Sequence, residues 1–310
     1  MASDLNSDEI FDATLADLDQ SIPGAQYIAL PLDQFSIEGP NGSHHCLVLP
    51  PLGPCVSPRL WTRLEKDTAA SLRKFAYQTT LALDFLHKNE ICHGGNPEEN
   101  QVKTETGEEL PISNPRYLVY PADIIRLGNE YLTDEICVID FGESFKFSSP
   151  PEDLGIPENY LPPEVLLECP NAIGPACDLW ALGCSLFEIR QQIPLFYMIY
   201  DNDELIAEMV RFFGKLPEDW WAKWEAQEDW FDPDGKWLRG ESKFSLEIAL
   251  SKPREVLDMD ENYKVVGKKS LETSEDEQKL MADLLYQLFK YDPDDRICTE
   301  EALRHEWFKL

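Results

Sequence analysis

Positive charge is scarce in this chain: 27 Lys and Arg stand against 58 Asp and Glu, for a net charge of −31 over 310 residues. Nucleic-acid binding needs basic surface to neutralise phosphates, so no nucleic-acid partner is expected. The same excess of acid suits a basic peptide or a protein partner with a basic face. Long apolar runs are also missing. None approaches the roughly 18 residues that would span a bilayer, so no membrane partner is expected. The opening stretch MASDLNSDEIFDATLADLDQ has neither the basic nor the apolar region of a signal peptide. The eight cysteines (46, 55, 92, 137, 169, 177, 184 and 298) include no CxxC pair and no His at ligand spacing. That argues against a disulfide framework or a zinc site, and for a reducing compartment, cytoplasmic or nuclear. In such a compartment the sequon Asn41-Gly42-Ser43 is a chance match.

The composition, 43% hydrophobic and 27% charged, is that of a globular protein able to bury a large core. Residues 1–25 form an acidic lead, either disordered or a short helix capped by Ser7 with Ile10, Phe11, Leu15 and Leu18 on one face. Two strand-like runs follow, AQYIALPLDQF and HHCLVL, with SIEGPNGS read as the turn between them. From Thr68 to Lys88, apolar residues at 72, 75, 76, 83 and 86, with Thr79 on the same face, predict an amphipathic helix. EICVID reads as a buried strand. Further helices are expected at about 163–168, 176–190, 201–213, 276–290 and 299–308, with polar inserts at about 103–135 and 215–272. A strand pair followed mostly by helices gives an α+β fold class.

Several separated motifs then carry a resemblance. The loop Cys92-His93-Gly94-Gly95-Asn96-Pro97-Glu98-Glu99-Asn100 resembles the H-x-D-x-x-x-x-N catalytic loop of the protein kinase superfamily. Asp140-Phe141-Gly142 is similar to its metal-binding DFG, Pro162-Pro163-Glu164 to its A-P-E, and Asp178-Leu179-Trp180 with Gly183 to its D-x-W-x-x-G. The string DQFSIEGPNGSHHCLVLPPLG and the Trp-rich insert are similar to the SR-protein kinase family, in particular its fungal-type branch.

The resemblance implies a protein-kinase-like fold in three parts. Residues 1–25 are the acidic N-terminal segment, 26–56 remnant N-lobe strands and hinge, and 57–310 the helical C-lobe. It further implies a Ser/Thr kinase-like transferase that binds ATP and Mg²⁺. Asp140 and Asn100 would hold the metal, because two oxygen ligands in fixed loops clamp the phosphates. Leu49, Pro50 and Leu52 would lie at the hinge beside adenine, with Val102 and Ile139 as an apolar floor. Each of these also has an ordinary reading as core or loop residue. His93 is expected to pack and hydrogen-bond, Asp178 to bond the catalytic-loop backbone, and Glu164 to form a buried ion pair with Arg296. Trp220, Trp221, Trp224, Trp230 and Trp237 would either make a docking surface or pin the insert to its own lobe. Asp232-Pro233-Asp234-Gly235 lacks the remaining ligands of a calcium loop and reads as a turn. The activation segment, Glu143 to Leu161, offers Ser149-Pro150 as a phosphosite, but no basic cluster to receive a phosphate.

Against this pattern stand three gaps. Gly95 occupies the position of the aspartate that accepts the substrate proton, a group worth roughly 10²–10⁴-fold in rate. Pro97 replaces the helper Lys or Arg. No Lys precedes Lys66 and no glycine-rich G-x-G-x-x-G occurs, so the phosphate-holding parts expected in the N-lobe are not matched. The expected protein is a catalytically inactive pseudokinase acting as a binding module. The alternatives are a truncated version of a fuller kinase and an atypical active Ser/Thr kinase.

Overall fold

The computed structural model describes residue 15 and residues 17–39, 42–53, 55–56, 68–94, 133–239, 244–259 and 265–310. Gly95, Asn100 and Val102, the insert up to residue 132, and Ser7, Ile10 and Phe11 of the acidic lead lie outside them.

Strands β1 (Asp33–Gly39) and β2 (Gly42–Val48) form an antiparallel hairpin in which Gly39 faces Gly42. The strands therefore run through most of SIEGPNGS, and only residues 40–41 separate them, a shorter turn than expected. The first expected strand is corrected further. Ala25–Tyr27 is a 3-10 turn, and Ile28 makes a single parallel bridge to Val138. The cause is Gly24, at φ 104, pressed so closely on the next helix that a Cβ there would stand 2.1 Å from the Leu81 carbonyl oxygen. The chain must turn at this contact, and only glycine tolerates both its angle and its closeness.

EICVID is likewise not a buried strand. Ile136, Cys137 and Val138 are half-buried and Ile139 is exposed. The backbone bonds of this stretch go to other partners: Ile136 N–H donates to the Gln78 side chain at 3.0 Å and Val138 N–H to the Tyr27 carbonyl at 2.7 Å. Groups satisfied in that way leave no ladder to build.

Helix α1 (Thr68–Lys88) follows its apolar spacing, burying Leu72, Phe75, Ala76, Leu83 and Leu86. It packs on α3 (Pro175–Gln191), which is apolar on nearly every side, with Leu179, Trp180, Leu182, Leu186 and Phe187 buried. A helix of that kind belongs at the centre of a lobe. Short α2 (Pro163–Leu166) precedes it, and α4 (Asn202–Phe213) follows, with Asp201 as N-cap accepting from Glu204 N–H.

The insert is structured. It holds α5 (Glu218–Lys223), α6 (Gln227–Trp230), α7 (Leu246–Ser251) and a hairpin, β5 (Arg254–Met259) with β6 (Val265–Leu271). Its tryptophans pin it to the lobe. Trp221 and Trp224 are buried against Ile206 and Val210 of α4, and Trp224 Nε1 donates to Asp203 at 2.8 Å. Trp230 and Trp237 stack at 5.7 Å, with Arg239 over the first at 3.9 Å and Arg211 over the second at 4.5 Å. Asp232–Gly235 is a turn, with the Asp232 carboxylate accepting from Asp234 N–H and Lys236 N–H.

Helix α8 (Glu275–Leu288) closes the core with Met281, Leu284, Leu285 and Leu288. The last expected helix is broken in two: α9 (Thr299–Ala302) and a 3-10 turn, Glu306–Lys309. His305 interrupts them, its Nδ1 accepting from Trp307 N–H at 3.2 Å, and Trp307 fills the core.

Candidate active site

The loop that begins at His93 is launched by β3 (Ile91–Cys92), which pairs antiparallel with β4 (Phe145–Lys146). That pairing brings the residues after Cys92 against the segment that starts at Asp140. From below, the first turn of α3 supplies Asp178. Its carboxylate accepts from His93 N–H at 2.8 Å and Gly94 N–H at 3.2 Å, and lies 3.1 Å from His87 Nε2. Two backbone amides are thereby satisfied by a charged acceptor, the stronger kind of hydrogen bond, and Asp178 is itself buried.

His93 ties the loop to the other strand of chain. Its Nε2 sits 3.2 Å from the Ile139 carbonyl, its ring packs edge-on to Phe141 at 5.1 Å, and its own carbonyl accepts from Ser144 Oγ at 2.8 Å. His93 thus packs and hydrogen-bonds as expected. Asp140 follows the exposed Ile139, is half-buried, and holds a left-handed φ of 66. Leu49 and Ile139 are both about half exposed, at 44% and 45%, and Pro50 and Leu52 are intermediate.

Glu143 is a participant that the motifs did not flag. Gly94 has φ 77, and a Cβ there would stand 2.2 Å from the Glu143 carbonyl oxygen; a Cβ on Gly155 would stand 2.7 Å from the Glu143 carboxylate. Two glycines from distant parts of the chain therefore clasp one residue. The clasp leaves no room for a side chain at position 94, immediately before Gly95. The activation segment is held by further contacts: Phe147 N–H donates to the Glu90 carbonyl at 2.9 Å, and Phe145 and Leu154 join Cys92 and Cys177 in a small core. Tyr160 donates to Glu188, and burial together with that carboxylate pushes its hydroxyl pKa up.

Where this segment re-enters the lobe, Glu164 and Arg296 make a buried, two-pronged ion pair, as the motifs implied. Nη1 and Nη2 each stand 2.7 Å from one carboxylate oxygen. Arg296 also donates to the Ala176 and Lys290 carbonyls and lies 5.1 Å over the Trp180 ring.

Residues 53–308 match the model of the protein kinase domain. The chain belongs to the protein kinase domain family. Among curated relatives it is 27% identical over 241 residues to the human dual specificity protein kinase CLK1, covering 77% of this chain and 44% of that protein. It is 29% identical over 274 residues to the serine/threonine-protein kinase AFC3 of Arabidopsis thaliana, covering 86% of this chain and 64% of the relative. With the Drosophila melanogaster serine/threonine-protein kinase Doa it shares 27% over 278 residues, covering 89% and 31%. The chain spans between 31% and 64% of the length of these relatives. These relatives are themselves kinases of the Ser/Thr and dual-specificity type.

Protein kinases use ATP and Mg²⁺. Asp140, half-buried beside the loop, is the described residue that would meet a metal in the family pattern; its partner in that pattern, Asn100, lies outside the described residues, and Gly95 offers no side-chain atom to a substrate hydroxyl. The described start of the catalytic-type loop is framed by Asp178, His93 and Ser144.

Proposed function

We propose that this chain is a pseudokinase: a kinase-fold binding module from which phosphoryl transfer has been lost. The observation that carries the reading is Gly95 at the base position of a loop whose framing bonds from Asp178 and Ser144 persist. Positioning and electrostatics do nearly all the work in phosphoryl transfer. A glycine removes the group that would receive the proton, and Pro97 removes the cation beside it. Glu98 and Glu99 follow three and four residues later, about 10 and 14 Å away along an extended chain. A further segment in a longer protein leaves this reading intact, because the missing base belongs to the loop itself. All eight cysteines are free, which supports the cytoplasm or nucleus as its compartment.

The test is phosphate transfer from labelled ATP with Mg²⁺ to an Arg/Ser-rich peptide, run beside the Asp140→Ala variant. Equal background from both proteins is expected. Transfer by the parent that vanishes in the variant would restore the active-kinase reading. A thermal-shift titration with ATP and Mg²⁺ reports separately on nucleotide binding.

A further inference from the structure

Three arginines belong to the junction where the β5–β6 hairpin joins the lobe. Leu271, the last residue of β6, is buried with Leu72 and Phe75 of α1. Arg254 stands directly across the strand pair from it. Cross-strand partners project from the same face, so Arg254 shares the face turned towards α1. The next carbonyl along, that of Glu272, accepts from Arg190 Nη2 at 3.1 Å. Arg190 also pairs with Glu277 through Nε and Nη2, at 2.8 and 2.7 Å, and Arg73 shares the same Oε1 at 3.0 Å.

The junction has donors left over. Arg190 is 0% exposed, yet its Nη1 is buried without a hydrogen-bond partner, and the buried Nε of Arg254 has none either. They are two of the four buried side-chain atoms left in that state among the described residues, and both fall beside residues 271–272. A buried donor without a partner is costly, more so on a charged group. Nη1 cannot turn to Glu277, because the planar fork is held by Nε and Nη2 on its other edge. Arg254 is half-buried, and burial alone acts on it, lowering its pKa with no carboxylate to offset the effect. Among the described residues the ion pairs of Arg73 and Arg190 go to Glu277, while Glu272, Glu275 and Asp276 stand exposed. Three guanidinium groups therefore face one buried carboxylate, leaving about two positive charges without a counterion.

We propose that this junction binds a dianionic phosphoryl group, carried on a phosphorylated side chain or free as phosphate. Its oxygens accept from Arg254 and from the spare nitrogen of Arg190, and Arg73 adds a third positive charge beside them. Charge sets the class of ligand. A phosphate monoester carries about −1.5 to −2 at neutral pH, whereas a carboxylate carries a single charge and would leave the junction positive. Guanidinium forks also match phosphate oxygens in pairs. None of the three arginines belongs to the catalytic-type loop or the activation segment, so the site stands or falls apart from the pseudokinase reading.

The full chain is titrated by calorimetry at constant ionic strength with inorganic phosphate, with N-acetyl-phosphoserine amide and with acetate. Saturable binding of the phosphates is expected, with acetate at least tenfold weaker. Arg254→Gln should weaken the phosphates at least tenfold, and Arg254→Lys, which keeps the charge without the fork, by less. Phosphate stabilises proteins in general by exclusion from their surface, so its effect on melting temperature counts only as a difference between parent and variant. The rise should be larger in the parent. In phosphate-free buffer Arg254→Gln should melt no lower than the parent, since it removes an unpaired, half-buried charge. A lower melting temperature there would show that the fold already supplies Arg254 with a partner, and it overturns the proposal. So does the absence of saturable heat with either phosphate, acetate that binds as tightly, or unchanged phosphate binding in Arg254→Gln. Preference for the blocked phosphoserine upholds the site and assigns it to a phosphorylated protein, and preference for inorganic phosphate upholds it for the free anion.

Discussion

Arg296 grips both oxygens of Glu164 at 2.7 Å from a position 132 residues further along the chain. Both side chains are buried, and the remaining donors of Arg296 go to backbone carbonyls. The pair locks the end of the activation segment to the chain's final helices. Removing either partner leaves an uncompensated buried charge, so Glu164→Gln or Arg296→Met should each cost about 3–5 kcal/mol in urea unfolding. Arg296→Lys should also be destabilising, because one ammonium group cannot reproduce a two-pronged fork. Replacing both partners by apolar residues of similar volume should recover much of the loss. Losses below about 1 kcal/mol in both single variants would show that the pair is not holding the lobe together.

A second buried carboxylate governs behaviour in acid. Burial works against the charged form of Glu277, but Arg190 and Arg73 outweigh it and hold the pKa below the ordinary 4.5. Arg190 pairs with both oxygens, at 2.8 and 2.7 Å, and Arg73 stands 3.0 Å from Oε1. A group whose folded pKa is depressed contributes stability that is fully present above its unfolded pKa and disappears as pH falls through the folded one. Stability should therefore hold above about pH 4.5 and fall away below it. Glu277→Gln should lower stability at neutral pH and flatten that acid slope. An unchanged slope would assign acid sensitivity to other groups.

What could be read in advance divides along physical lines. Long helices were legible because burial imprints a helical period, as in Thr68–Lys88 and Asn202–Phe213. Asp178, Glu164 and Arg296 were legible because separated motifs tie them to fixed roles. Strands were harder. EICVID is apolar, yet its backbone bonds go to the Tyr27 turn and Gln78 rather than to a ladder. The β5–β6 hairpin escaped because β6 is exposed at every position before Leu271, so its sequence shows no alternation. The clasp of Glu143 by Gly94 and Gly155, and the junction of Arg73, Arg190 and Arg254, depend on pieces that only the fold brings together. No local pattern signals them.

Gly183 sets two effects of similar size against each other. It lies inside α3, where alanine is favoured over glycine by about 1 kcal/mol. A Cβ there, however, would meet the Phe289 ring at 2.8 Å. That ring is buried, stacked on Phe213 at 4.9 Å and edge-on to Trp180 at 4.9 Å, so it has nowhere to retreat. Overpacking of this kind costs about 1–3 kcal/mol and should outweigh the propensity gain. Gly183→Ala should lower the melting temperature, and adding Phe289→Leu should rescue part of the loss. A melting temperature that rises in the single variant would mean that the Phe289 ring gives way easily.

The cysteines should divide sharply in their reactivity. Thiolate is the reacting form, so a thiol that is both hidden and hard to ionise is inert. Burial pushes up the pKa of Cys177, to about 12, with Glu164 adding to the rise. Burial does the same to Cys92 and Cys184, aided by Asp178 and Glu188 respectively. Cys55 and Cys298 are exposed to solvent. Under native conditions at pH 8, a thiol reagent followed by peptide mapping should label Cys55 and Cys298 first and leave Cys92, Cys177 and Cys184 unlabelled until denaturant is added. Because Cys92 and Cys177 share a small core with Phe145 and Leu154, their labelling also reports whether the activation segment stays seated. Early labelling of that pair, with Cys184 still protected, would show the segment opening locally while the lobe stays folded.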